Sequence, residues 1–184
     1  KNSRLSGSAF AFSGSTALIG AYQANMPSVG AAGAVYVFER SGSTWTQTQK
    51  LTASDATNNA RFGSSVAIDR DTALVGAPSA DSSRVWYPGA GYVFERASGT
   101  WTEKQKLLAS DASRDALFGY SVALQGDIAV LGSPRGDVGA LADAGAGYVF
   151  ARASGVWTEE KKLTASDAAR NDQLGLAVAL DGDT

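Results

Sequence analysis

The sequence predicts an all-β fold built of four-stranded antiparallel units, and three observations predict it. The first is a fixed internal period. Phe38, Phe94 and Phe150 stand 56 residues apart, as do Trp45, Trp101 and Trp157, and Leu51, Leu107 and Leu163. Gly7, Gly63, Gly119 and Gly175 keep the same step, with no insertion or deletion to disturb it. A constant period of tens of residues marks a repeat architecture, each unit too small to bury its own apolar faces. The second observation is strand composition, with short β-branched and aromatic runs divided by Gly, Asp and Pro. The third is that the strands are apolar on both sides, as in sheets covered on both faces.

Within the clearest copy, the first strand is Ser65 to Asp69, where Val66 and Ile68 face one way and Ala67 the other. A tight turn at Asp69-Arg70-Asp71, matched by Gln125-Gly126-Asp127 one period later, leads to a second strand, Thr72 to Ala77. Pro78 ends the pairing because it has no N–H to donate. A loop rich in Gly, Ala, Ser and Asp leads to the third strand, Gly91 to Arg96, whose aromatic and β-branched composition suits a sheet. Ala97-Ser98-Gly99 turns the chain into the fourth strand, Trp101 to Leu108. There Trp101, Glu103, Gln105 and Leu107 alternate with Thr102, Lys104 and Lys106, and the polar and Lys positions suit an outer strand with a protected edge.

Side-chain size predicts how units stack. Val66 and Ile68 oppose Ala67, and Leu74 opposes Ala73 and Val75, so the expectation is one face of large residues over a face of small ones in the next unit. This is the packing logic of a β-propeller blade. A β-helix is the main rival, but its coils are shorter and lack three hairpin turns per repeat.

The chain reads as a single domain over 1–184, with repeats at about 6–61, 62–117 and 118–173 and a partial fourth at 174–184. That fourth copy, from Leu174, supplies one extra first strand. Propellers typically close with about 4–8 blades, so three cannot comfortably complete a ring. The three are therefore expected to be part of a six- or seven-bladed ring: either they belong to a longer propeller, or units from two copies of the chain complete the ring.

Composition excludes several function classes. Net charge is −2, with 16 basic and 18 acidic side chains interspersed, so no basic stripe marks a nucleic-acid partner. No apolar run reaches about 18 residues, so no membrane insertion is expected. Cys and His are absent, which removes thiolate chemistry and the commonest general base. The Gly, Ala, Ser and Thr content suits a bacterial protein that is extracellular or at the cell surface.

Two copies carry a family likeness. Phe62-Gly63 followed by Gly76-Ala77-Pro78, and Phe118-Gly119 followed by Gly132-Ser133-Pro134, resemble the FG-GAP repeat, which builds the propeller of integrin alpha-chain heads and of many bacterial secreted proteins. The Gly-Ala-Gly-Tyr-Val-Phe segments at 89–94 and 145–150 resemble the bacterial form. Ser6 and Leu174 depart from Phe, and Tyr22 departs from Pro. The resemblance implies a seven-bladed ring. It also implies calcium in some members, but the first turn here is too short to wrap an ion that wants about six to eight oxygens, so no cofactor is expected.

Candidate sites fall in loops. The connections after the fourth strands repeat Ala-Ser-Asp-Ala, placing Asp55, Asp111 and Asp167 as weak calcium candidates, with Asx-type turns as the structural explanation. The loops after the second strands, 22–32, 79–90 and 135–144, differ most between copies, and long loops on a rigid scaffold are where binding residues collect. One offers Arg84, Trp86 and Tyr87, an aromatic pair suited to stacking on a sugar or anchoring a protein ligand. Another carries Arg135-Gly136-Asp137, so Arg135 and Asp137 are adhesion candidates. The function expected is a non-catalytic extracellular binding or adhesion module. Its alternatives are a scaffold that assembles with another copy of itself and a carboxylate-based glycan-active enzyme, for which Asp81 and Asp143 are loop carboxylates without an evident pair.

Overall fold

A computed structural model describes residues 9–82 and 85–182, and its regular structure is entirely β. Three antiparallel sheets of four strands each follow one another. Blade 1 comprises β1 (Ala9–Ser13), β2 (Thr16–Ala21), β3 (Ala34–Ser41) and β4 (Thr44–Leu51). Blade 2 comprises β5 (Ser65–Asp69), β6 (Thr72–Ala77), β7 (Ala90–Ala97) and β8 (Thr100–Leu107). Blade 3 comprises β9 (Ser121–Gln125), β10 (Ile128–Ser133), β11 (Ala146–Ala153) and β12 (Val156–Leu163). Strand order in each sheet is the sequence order, and the innermost strands β1, β5 and β9 pack in succession. The predicted three-blade propeller arrangement is what the chain adopts.

The core lies between blades. One cluster joins Leu18, Val35, Val37 and Leu51 of blade 1 to Val66, Val75, Tyr92, Phe94 and Trp101 of blade 2. A second joins Leu74, Val93 and Leu107 of blade 2 to Leu131, Tyr148, Phe150 and Trp157 of blade 3. Each blade therefore presents an aromatic-rich face to the blade before it and an aliphatic face to the blade after it.

That arrangement corrects the expected segregation by size. Paired residues share a face, and the register sets Val66 opposite Val75 but Leu74 opposite Ala67. Leu74 thus lies on the face opposite Val66, and each face mixes large and small residues. A β-bulge makes a second correction. In β8, Glu103 pairs with Phe94 and Gln105 with Val93, leaving Lys104 unpaired. The extra residue flips the side chains that follow. Trp101 is therefore buried against blade 1 while Leu107 is buried against blade 3, although simple alternation places them on one face.

The glycines of the repeat motif are explained by close approach. A Cβ on Gly76 would stand 2.0 Å from the carbonyl oxygen of Gly119, on the next blade's entry turn, and Gly20 meets Gly63 in the same way. Gly63 and Gly119 themselves lie at φ +86° and +81°.

The extra strand expected at 174–184 forms no ladder over its described part. Leu174 makes a parallel bridge to Gly145, and the residues after it to 182 pair with no strand. Its ladder partner is missing among the described residues, and a lone strand leaves its backbone groups unpaired. Ser6 and Gly7 lie outside the described residues.

Candidate functional site

The loops between second and third strands and the connections between blades lie at one end of the sheets, because strand order fixes them there. They are stitched together by backbone bonds that recur with the period. Asn59 N–H donates to the Gly30 carbonyl, Asp115 to Trp86 and Asn171 to Ala142. Phe62, Phe118 and Leu174 donate likewise to Ala32, Pro88 and Ala144. Within each loop, an Asx side chain caps a left-handed residue. Asn25 accepts from Ala31 N–H, Asp81 from Tyr87 and Asp137 from Asp143, with φ of 47°, 51° and 54° at the three donors. The described parts of these loops form fixed platforms.

On that platform Trp86 stands 69% exposed and meets the Tyr87 ring edge-on at a centroid distance of 6.2 Å. Tyr87 is half-buried, so the two rings differ in exposure, and Trp86 is the one that stands in solvent. Arg84 lies outside the described residues. Arg135 and Asp137 are exposed on either side of buried Gly136. Asp137 caps its own loop, the job Asn25 and Asp81 do in the other copies, and its carbonyl accepts from Lys162 Nζ at 2.8 Å. Asp81 and Asp143 are likewise parts of these repeated caps.

Asp55 and Asp111 clamp adjacent blades. Asp55 Oδ1 accepts the Tyr92 hydroxyl at 2.7 Å and Oδ2 accepts Lys106 Nζ at 2.6 Å. Asp111 receives Tyr148 and Lys162 at the same distances. Burial works to raise these carboxyls, but the bonds from lysine and tyrosine outweigh it and hold both below the ordinary carboxylate range. Burial, with the facing carboxylate, pushes the phenols of Tyr92 and Tyr148 well above their usual value. Asp167, the third of the series, is exposed and has no side-chain partner among the described residues. Among the described residues there is no group of three or more acids placed to hold a metal ion.

Two features escaped the sequence reading. At the opposite end of the junctions, Arg96 bonds Asp71 of its own blade and both Glu39 and Thr16 of the blade before. Arg152 repeats this with Asp127, Glu95 and Thr72, and the Asp127 bond holds its guanidinium above its ordinary pKa. The signal was present in the 56-residue step of Arg40, Arg96 and Arg152, but pairing across blades is invisible until the blades are stacked. The second feature is a cleft of about 360 Å³ lined by Tyr22, Arg61, Ser64, Pro78, Leu117 and Tyr120. Tyr22, Arg61 and Tyr120 each differ from their counterparts in the other copies, so no periodicity points to them.

Compared with known families, the FG-GAP repeat matches three consecutive stretches, 45–94, 101–150 and 157–184. Each match starts at the tryptophan of an outer strand, and the first two cross into the next blade, so the family's unit contains a blade junction. No curated protein matches the chain. No helix among the described residues is long and apolar enough to cross a membrane.

Proposed function

The chain belongs to the FG-GAP repeat family, and from that premise we propose that it is a non-catalytic extracellular binding module whose ligand, a glycan or a protein, is gripped by the loop carrying Trp86. One observation carries the reading. Gly30, Trp86 and Ala142 are equivalent positions whose backbone carbonyls do the same structural work. Glycine and alanine suffice for that work, so the indole of Trp86 is surplus to the scaffold. A large aromatic held in water on a rigid loop gives contact area at small entropic cost. The family's repeats are generally non-catalytic, which supports a recognition role.

A glycan array, run alongside pull-down from extracellular matrix proteins, tests this with the wild-type chain and Trp86→Ala. The expected result is a signal that the substitution removes while the melting temperature stays unchanged. Binding that survives Trp86→Ala unaltered would sink the proposal.

A further inference from the structure

Against so regular a repeat, departures from it are informative, and three of them meet in one place. The cleft of about 360 Å³ is lined by Tyr22, Arg61 and Tyr120 together with Ser64, Pro78 and Leu117. One period along the chain, Tyr22 corresponds to Pro78 and Arg61 to Leu117, while Tyr120 corresponds to Ser64 one period back. The cleft thus sets each departure beside the residue that holds the same position in another copy.

Its place in the fold follows from how the blades stack. Gly20 closely approaches the Gly63 carbonyl, and Gly76 that of Gly119, so each blade's entry turn lies against the second strand of the blade before. Tyr22 directly follows β2 and Pro78 directly follows β6. Arg61 and Ser64 flank the entry turn of blade 2, and Leu117 and Tyr120 flank that of blade 3. All the walls therefore come from the two junctions on either side of blade 2, and both junctions lie inside the chain.

The scaffold uses only the backbone at the arginine's position. Arg61, Leu117 and Gln173 share one left-handed conformation, with φ of 59°, 58° and 56°. The Arg61 carbonyl accepts Ser64 N–H at 3.1 Å, and the Leu117 carbonyl accepts Tyr120 N–H at 3.0 Å. Arginine, leucine and glutamine serve that turn alike, so the guanidinium of Arg61 is surplus to it. Arg61 is exposed, and its side chain has no hydrogen bond or ion pair among the described residues, whereas Arg96 and Arg152 are held in clamps. Tyr120 is 44% exposed at a position where Ser64 suffices.

The chemistry of the walls selects the ligand. No carboxylate lines the cleft, so the Arg61 fork is free to take an incoming one in a bidentate pair. The two tyrosine rings, with Leu117 and Pro78, supply the flat apolar surface that covers the C–H face of a sugar ring. The hydroxyls of Tyr22, Ser64 and Tyr120 suit sugar hydroxyls, since each can donate and accept. The volume falls at the small end of ligand clefts, about 300–1,000 Å³. We propose that this cleft is a second binding site, sharing no residue with the Trp86 loop, and that it takes a carboxylate-bearing sugar of the uronic acid class. Arg61 holds the carboxylate, and Tyr22 and Tyr120 hold the ring. An acidic peptide offers the charge without the rigid ring.

Titration calorimetry of the whole chain with a short galacturonic acid oligomer tests this. Its methyl ester keeps every ring and removes the charge, and oligoglutamate keeps charge without rings. The acid oligomer should bind saturably, and the ester and oligoglutamate about tenfold more weakly or worse. Arg61→Gln and Tyr120→Ser install residues that Gln173 and Ser64 already provide at those positions, so the turns are preserved. They should weaken binding about tenfold and about fivefold, while Trp86→Ala binds as the wild type does. An acid oligomer that does not bind, an ester or oligoglutamate that binds equally well, or affinity indifferent to Arg61→Gln would each overturn the proposal. So would loss of binding in Trp86→Ala, which would place the sugar at the other site.

Discussion

The Tyr92 hydroxyl donates to Asp55 Oδ1 at 2.7 Å across a blade boundary, and Tyr148 repeats that bond to Asp111 at the same distance. The tyrosine rings stack on the Phe of their own blade, Phe62 and Phe118, at 5.4 and 5.3 Å. The motif phenylalanine thus fixes the ring whose hydroxyl ties two blades together. Tyr92→Phe keeps the stacking and removes the tie, at a cost of about 1 kcal/mol, since Asp55 can rehydrate. Tyr92→Phe with Tyr148→Phe should cost about the sum, because the two junctions share no partner. Urea unfolding of the single and double variants measures both.

The same clamps set the pH limits of stability. Asp55 and Asp111 are held below the ordinary carboxylate value, so their contribution is complete above about pH 4 and is lost as pH falls through their depressed folded values. Tyr92 and Tyr148 are pushed the other way, so their contribution is complete below about pH 10 and is lost as pH rises beyond it. The melting temperature should be flat between those limits as far as these groups determine it. Tyr92→Phe with Tyr148→Phe should blunt the alkaline fall.

Gly76→Ala should destabilise by about 3 kcal/mol or more, because its Cβ would meet the Gly119 backbone oxygen, which no rotamer can move. Gly30→Ala is the control. Its Cβ would meet only Asn58 Oδ1 at 3.7 Å, ordinary contact, and its stability should change by under about 0.5 kcal/mol. Thermal melts of both variants separate the two kinds of glycine.

Lys104 matters for its presence in the chain and not for its side chain. Lys104→Ala, at an exposed position, should be neutral within about 0.5 kcal/mol. Deleting the residue removes the bulge and forces either Trp101 or Leu107 out of its core, costing about 3 kcal/mol or more. Guanidinium unfolding distinguishes these outcomes.

Asp137→Asn should leave the loop intact, since Asn25 makes the same cap in the first copy. Asp137→Ala removes the acceptor for Asp143 N–H and should cost about 1 kcal/mol or less at this exposed site. Hydrogen exchange at Asp143 reads the cap directly.

The sequence by itself determined the unit and its copy number. Local propensity, two-residue turns and a strict 56-residue step are all written along the chain, and they place strands such as Ser65–Asp69 and Thr72–Ala77 at their observed bounds. Only the tertiary structure decided what faces what. Register placed Leu74 opposite Ala67, and one bulged residue sent Trp101 and Leu107 to different neighbours. It also decided the roles of the acids. Asp55, a loop residue in sequence, became a clamp because Tyr92 and Lys106, 37 and 51 positions away, converge on it when blades stack. Trp86 is visible as an oddity in the sequence, but its exposure follows from the fold, which uses its backbone and leaves its ring in water. Strand formation is a local free-energy preference, whereas facing, clamping and exposure depend on pairings between distant segments.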